Sequence, residues 1–532
     1  MKSTHPAVCL VFLMLAALPV AATAATTQVA GEASRTPAQA APTWKLASFP
    51  ARYVTRQGYR ELAIRRLVEL ENHNASQRIK ATQIGVGRTL AHEGIERATP
   101  ALRWVALKSG GAVARLQVGS PDALGLRVGL QVSDLHPHVE LRIAGSDDPQ
   151  WIVAMLTAAK AKAFADADGM YWTPATDGGT QIIEIYRPGH VTAAQARVRA
   201  PQVSHLLANS ANNFKIVEKV GESASCNINA VCRVNQLGPA YVEAKNAVAH
   251  MMFNIYNTDG NVLGSYMCTG TLLNDTTPAT QVPWFYTADH CFRGGGDVPV
   301  QDRSKVAASL TTYWGYERTS CSSTKGSKNN ALAGGADIMF YDANVDAILL
   351  RLKNPAPAGA TFAGWDASTL APNADVIAIH HPSGDAKKYS RGQHVADSYA
   401  EQFTVGWLEG TTEGGSSGSG LFTRHADSSY RLRGGLYGGD ASCANTGNIA
   451  NAENRDHYSR LDLVFPRIKQ WIAADPVREN SSQPLVRRAG AVAQGQGAHA
   501  AGSAAASTPP TRPAAAERLR PMAPVRTAQR ER

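Results

Sequence analysis

Apolar and polar residues alternate over four stretches in the first half of this chain: Val113–Val118, Leu126–Val132, Val139–Ile143 and Gln181–Tyr186. Successive side chains of a strand face opposite ways, so a period of two predicts half-buried antiparallel strands. Turn residues separate them, and together they predict a small β-sandwich over about residues 100–195. Apolar and basic residues recur at roughly helical spacing over Tyr59–Asn72, and apolar ones again over Leu461–Ile472. Pro466 interrupts the second run and lacks the N–H that a helix interior uses, so a short closing helix is expected to begin near it. Between Cys226 and about Ala474 the chain consists instead of short β-type runs dense in cysteine, tryptophan and glycine. The fold expected is all-β with two domains.

The ends depart from this pattern. Lys2, the apolar run Ala7–Val20 and the small residues Ala22-Thr23-Ala24 read as a signal peptide over residues 1–24. That run is too short to span a bilayer, and no later segment reaches about 18 uninterrupted apolar residues. The expectation is a secreted, soluble protein without a membrane partner. Residues 25 to about 42 are rich in Ala, Thr and Pro and read as a linker or disordered segment. From 475 to 532 large apolar residues are few, so this tail cannot bury enough surface to order itself.

Length and composition sharpen the picture without changing it. At 532 residues the chain suggests two or three domains, and 44% hydrophobic against 18% charged residues allows a sizeable core. The formal charge of +10 would suit a nucleic-acid binder, but its distribution argues against one. From Pro476 to Arg532 nine arginines face three glutamates, a net of +6, so most of the excess lies in the tail. Of seven cysteines, Cys9 lies in the leader, and Cys226, Cys232, Cys268, Cys291, Cys321 and Cys443 all fall in one segment without CxxC pairs. An even set in one domain of an exported chain reads as three disulfides, not a zinc ribbon.

Three local patterns carry chemistry. Thr287-Ala-Asp-His290-Cys291 follows the apolar run Val282–Tyr286, placing His290 just past a strand; Asp346 heads the apolar run Ala347–Leu350. Glu413–Gly420 crowds glycine around serine and leads into Leu421-Phe422. Glycine lets the backbone turn tightly and leave N–H groups exposed, as a nucleophilic hydroxyl beside an oxyanion pocket requires. A serine hydroxyl needs a base within hydrogen-bond reach, and the base needs a carboxylate to fix its tautomer. Gly414-Gly-Ser416-Ser-Gly418 also fits the nucleophile elbow of α/β-hydrolases, but those run Ser, Asp, His on a strand-to-helix turn, and Gly418–Thr423 looks like the entry to a strand. His92-Glu93-Gly-Ile-Glu96 misses the zinc-protease helix motif because Glu96 stands where the second histidine is needed. No metal and no cofactor are expected.

The three patterns together resemble the signatures of trypsin-like serine proteases. More narrowly, Cys226–Cys232, Cys268-Thr-Gly-Thr-Leu-Leu-Asn274, Tyr313-Trp314, Ala363-Gly-Trp-Asp366 and Ala378-Ile-His-His-Pro382 look like bacterial lysyl endopeptidases, over about Gly221 to Trp471. The Trp172-Thr-Pro and Ala123–Arg127 stretches resemble the β-domain that precedes the catalytic domain in some exported bacterial proteases. The resemblance implies a chymotrypsin-like double β-barrel over 221–474, preceded by a β-rich propeptide over 25–220. It implies His290 as general base and then acid, Asp346 as its orienting carboxylate, Ser417 as nucleophile, and the N–H groups of Gly415 and Ser417 as oxyanion donors. It also implies disulfides Cys226–Cys443, Cys232–Cys321 and Cys268–Cys291, and a primary pocket with Asp456 at its floor and Tyr437, Gly438 and Gly439 along it. Without the resemblance, Asp456 reads first as an exposed loop acid paired with Arg455 or Arg460.

Two positions depart from the family. Tyr437 stands where the family has the histidine of its lysine site, and no clear equivalent of its partner tryptophan is found between Gly392 and Trp407. Cleavage after lysine is expected, with arginine an open alternative. The chain is expected to be a monomeric zymogen acting on protein and peptide substrates, its propeptide serving as folding aid or inhibitor. Lys219 precedes the family's mature start and is a candidate self-processing site. A protease-fold binding protein without turnover and an α/β-hydrolase esterase are the competing readings.

Overall fold

The computed structural model describes residues 26–76, 80–90, 99–209, 222–277, 279–294, 299–324, 326–327 and 330–473. The stretch read as a signal peptide, the His92–Glu96 near-motif, the Lys219–Gly221 junction and the tail beyond 474 lie outside the described residues.

The four alternating stretches become strands Ala112–Gly119, Gly125–Gln131, Glu140–Gly145 and Thr180–Arg187. They divide between two sheets. One runs Ile152–Thr157, Glu140–Gly145, Thr180–Arg187, Ala112–Gly119, Thr55–Gly58; the other runs Met170–Trp172, Gly125–Gln131, Arg199–Leu206, Gly85–Thr89. Their inward residues, among them Leu116, Val128, Leu130, Ile143, Ile183 and Val203, make one buried core. The early helix spans Ile64–Ser76, later than the spacing suggests, because Tyr59 is drawn into that core.

The region that follows Cys226 is a double β-barrel. In its first half the strands run Asn330–Leu332, Thr311–Trp314, Val248–Tyr256, Val262–Leu273, Trp284–Thr287, Ala347–Leu352, Ala336–Asp342, with antiparallel neighbours throughout. In the second half Tyr430–Gly439, Gly420–Arg424, Asp375–His380, Lys388–Tyr399, Gln402–Glu409 and Asp456–Ser459 follow one another, and the last pairs back to the first. That pairing closes a six-stranded barrel and leaves no free edge among those strands. Cys226–Cys443, Cys232–Cys321 and Cys268–Cys291 are disulfide-bonded.

Two expectations need correction. The closing helix spans Leu461–Ile472 and holds Pro466 inside it. Leu461, Val464, Phe465, Ile468 and Ile472 form one buried face across the proline, and Phe465 packs on Trp365 with ring centroids 5.2 Å apart. Burial of that face outweighs the lost backbone bond. The segment read as a linker is instead partly structured: Gln28–Val29 pairs with Trp365–Asp366, and Glu32–Ala33 with Thr361–Phe362. Backbone pairing orders these residues, and composition does not report it.

Candidate active site

Each half of the double barrel contributes to one cleft. Trp284–Thr287 ends the strand before His290, which opens a short helix, Asp346 turns into Ala347–Leu352, and Ser417 precedes Gly420–Arg424. His290 Nδ1 lies 2.7 Å from Asp346 Oδ2, and its backbone N–H donates to Asp346 Oδ1 at 2.8 Å. A carboxylate only accepts, so Nδ1 carries the proton and Nε2 offers its lone pair to Ser417 Oγ, 2.7 Å away. Asp346 adopts φ +61°, a conformation that costs a non-glycine residue about 1–3 kcal/mol and that aims its carboxylate back at the histidine. The neighbouring Asp289 is otherwise engaged: Arg303 donates to both its oxygens, at 2.7 and 2.9 Å.

The Gly/Ser stretch is a bonded turn. Gly415 has φ +90°, and a Cβ there would lie 2.9 Å from His381 O; Gly418 has φ +77°, and a Cβ would lie 1.9 Å from Thr287 Oγ1. Thr269 Oγ1 donates to Gly415 O at 2.9 Å and Thr269 N to Ser417 O at 2.7 Å. The Ser416 hydroxyl is committed elsewhere, to His380 Nδ1 at 2.8 Å, while accepting from Glu413 N at 3.2 Å. Burial lowers the His380 pKa to about 3. Its neutral ring passes the chain onward: Nε2 meets Ser390 Oγ at 3.0 Å, and Ser390 donates to Thr411 O at 2.7 Å. Ser416 therefore braces the turn on His380, and Ser417 is the one of the two that meets the His290 imidazole.

Beside this turn lies a pocket holding a fully buried carboxylate, Asp456. Neither Arg455 nor Arg460 reaches it: Arg455 bonds the carbonyls of Ile449, Asn451 and Asn454, and Arg460 bonds Asp462. Asp456 Oδ2 accepts from Trp407 Nε1 and from Thr412 Oγ1, both at 2.7 Å. Oδ1 accepts from the ammonium of Lys80, a residue of the N-terminal region, at 2.6 Å. Lys80 Nζ also meets Thr412 Oγ1 at 2.7 Å, Thr412 O at 3.0 Å and Ala441 O at 3.2 Å. The carbonyl oxygen of the same residue accepts from Gly415 N at 2.5 Å and Ser417 N at 3.4 Å. Gly438 and Gly439 pair with His457 and Asp456, and a Cβ on Gly439 would lie 2.2 Å from Arg455 O. Tyr437 packs edge-on to His290 with ring centroids 5.8 Å apart, and burial raises its pKa.

Lys80, Thr412, Ala441 and Trp407 escaped the reading of the sequence. Trp407 lies within an ordinary strand, Gln402–Glu409, and nothing in its neighbours signals that its indole N–H points at a carboxylate. Lys80 carried one available signal: a site that takes lysine can take a lysine of its own chain.

Among the described residues two groups have donors close enough for a metal ion. In Cys268, His290 and Cys291 the sulfurs are joined to each other. His136, His138 and His190 lie together on the N-terminal sandwich, outside the cleft, with His138 Nδ1 3.0 Å from His190 Nε2. No helix among the described residues is long and apolar enough to cross a membrane.

Residues 59–207 match the model of the lysyl endopeptidase N-terminal domain, and residues 220–459 that of the lysyl endopeptidase C-terminal domain. A lysyl endopeptidase of Pseudomonas aeruginosa is 36% identical over 409 residues, covering 74% of this chain and 81% of that protein. With both domains matched in their chain order and a relative spanning most of its length, the chain belongs to the lysyl endopeptidase family of serine endopeptidases.

Proposed function

We propose that this chain is an exported precursor whose protease domain hydrolyses peptide bonds on the carboxyl side of lysine, with Ser417, His290 and Asp346 as its catalytic residues. Ser417 Oγ would attack the carbonyl carbon while Nε2 of His290 takes its proton. The imidazolium so formed is stabilised by Asp346 and returns the proton to the leaving amine. The oxyanion would rest on Gly415 N–H and Ser417 N–H, each such donor being worth about 3 kcal/mol to the transition state. Water then enters by the same base and releases the acyl group. The N-terminal domain, on this reading, is a propeptide.

The observation that carries the lysine reading is the seat of Lys80: its ammonium is on Asp456 while its carbonyl is on Gly415. Four oxygens surround the ammonium, at a depth set by a four-carbon stem. Asp456 Oδ2 is held by Trp407 and Thr412, so a guanidinium would find one carboxylate oxygen and not the two its fork uses. The pocket therefore favours lysine over arginine without a histidine at position 437.

The test is digestion of a mixed peptide pool by the mature enzyme, reading the residue before each cut. Lysine should dominate, and cuts mostly after arginine, apolar or acidic residues would refute the assignment. Ser417→Ala should lower kcat by roughly 10⁶-fold with the fold intact. A phosphonylating reagent should label Ser417 in the wild type, which a binding protein without turnover would not allow.

A further inference from the structure

Lys80 does more than identify the pocket. The residues after it run along the protease as an added strand: Thr82 pairs with Met267 and Gln83 with Tyr266, antiparallel, and Ile84 N donates to Ser265 O at 2.8 Å. Beyond them Gly85–Thr89 enters the sandwich, paired with Arg199–Leu206. The passage is tight on both sides, since a Cβ on Gly264 would lie 2.0 Å from Gly85 O and one on Gly87 1.9 Å from Val262 O. Ile84 and Val86 are buried with Leu206 of the sandwich and Met252 and Met267 of the protease.

We infer that the Lys80–Ala81 bond is an internal processing site, held by the chain's own active site in the register of a substrate and cut there in cis. Three independent placements coincide: the side chain fills the pocket, the carbonyl lies on the Gly415 and Ser417 N–H groups, and the following residues pair as a strand along the cleft. The step balances as ordinary hydrolysis. Ser417 Oγ bonds the Lys80 carbonyl carbon and its proton passes to His290 Nε2. The Lys80–Ala81 C–N bond breaks and His290 protonates the Ala81 nitrogen; water then releases Lys80 as a free carboxylate and restores the serine. Because Thr82–Ile84 stay clamped on Tyr266, Met267 and Ser265, the new amine remains seated beside the acyl group, and resealing competes with hydrolysis. The N-terminal domain is then a substrate and a block of the cleft at once, and both cut pieces stay docked. This inference rests on the proposed cleavage after lysine.

The experiment follows the full-length chain by mass spectrometry as it matures. A polypeptide beginning at Ala81 should appear in the wild type at a rate independent of chain concentration. It should be absent from Ser417→Ala and from Lys80→Ala. Since Lys80→Ala could impair folding, folded Ser417→Ala chain is also mixed with mature wild-type enzyme. Its own pocket shelters Lys80, so the 80–81 bond should survive there and be cut once that chain is unfolded. An unbroken 80–81 bond in matured wild type, a rate that rises with concentration, or ready cutting of folded Ser417→Ala would each overturn the inference. If the mature enzyme meanwhile cuts peptides after lysine, only this inference falls; if it does not, the proposed function falls first.

Discussion

At the scale of single residues, the proposed selectivity turns on groups that never touch the scissile bond. Trp407 Nε1 and Thr412 Oγ1 occupy Asp456 Oδ2 and leave Oδ1 for the incoming cation. Trp407→Phe keeps the buried ring and removes one donor, freeing a lone pair that a guanidinium can use. Its kcat/KM for lysyl substrates should drop, and the lysine-to-arginine ratio should shrink by about tenfold, the equivalent of one hydrogen bond to a charged group. A ratio unchanged or increased, measured on matched lysyl and arginyl anilides, would refute this account. The candidate triad was the more legible part of the site. His290, Asp346 and the Gly/Ser turn each stand in a short local pattern, because the local backbone turn presents each group. The pocket was less legible because its members come from residues 80, 407, 412, 441 and 456, joined only by the closed barrel and the N-terminal segment.

Elements were readable wherever their own side chains decide their state. The period-two strands of the sandwich match their ends to within about two residues, as boundary fraying allows. Where partners decide, the pattern is silent or misleading: Gln28–Val29 and Glu32–Ala33 are strands only because Trp365–Asp366 and Thr361–Phe362 offer them edges. Pro466 misled for the same reason, since the helix around it is held by its buried face. Ile468 lies at the centre of that face among residues of both barrels, including Leu349, Ile379 and Leu432. Ile468→Ala should therefore destabilise the protease domain by about 2–5 kcal/mol, whereas alanine at the exposed Leu463 on the same helix should shift stability by less than about 0.5 kcal/mol. Equal losses in denaturant unfolding would show that the helix is held by something other than this face.

For the molecule as a whole, burial of polar groups at the junction of its parts sets how it responds to pH and to mutation. His205 of the sandwich and His250 of the protease are pushed down to about 4 by burial, and His380 to about 3. An unfolded histidine titrates near 6.5, so below that value the unfolded chain binds protons that the folded one refuses. The stability these groups provide is complete above about pH 6.5 and declines as pH falls towards 4, by roughly 1.4 kcal/mol per pH unit for each histidine. A urea midpoint of Ser417→Ala chain that stays flat between pH 6.5 and 4.5 would contradict this.

Arg127 makes the sharper case. It is fully buried where the sandwich meets the protease, and its guanidinium donates to Thr173 O at 3.1 Å, Asn254 Oδ1 at 3.2 Å and Ser309 O at 2.5 Å. Every one of these partners is neutral, and burial lowers its pKa. Removing the side chain strands two backbone carbonyls that water cannot reach, Thr173 O of the sandwich and Ser309 O of the protease, while Asn254 Oδ1 keeps the Ser265 hydroxyl. Each stranded acceptor carries a desolvation cost of about 1–3 kcal/mol. Arg127→Ala should thus lower the stability of the full-length Ser417→Ala chain by several kcal/mol. The protease domain freed of residues before 221 should retain its own melting temperature, because the arginine is no longer part of it. If instead the full-length chain tolerates Arg127→Ala without loss, the two domains are held by the apolar cluster around Met252, Met267 and Leu206, and the arginine merely fills space between them.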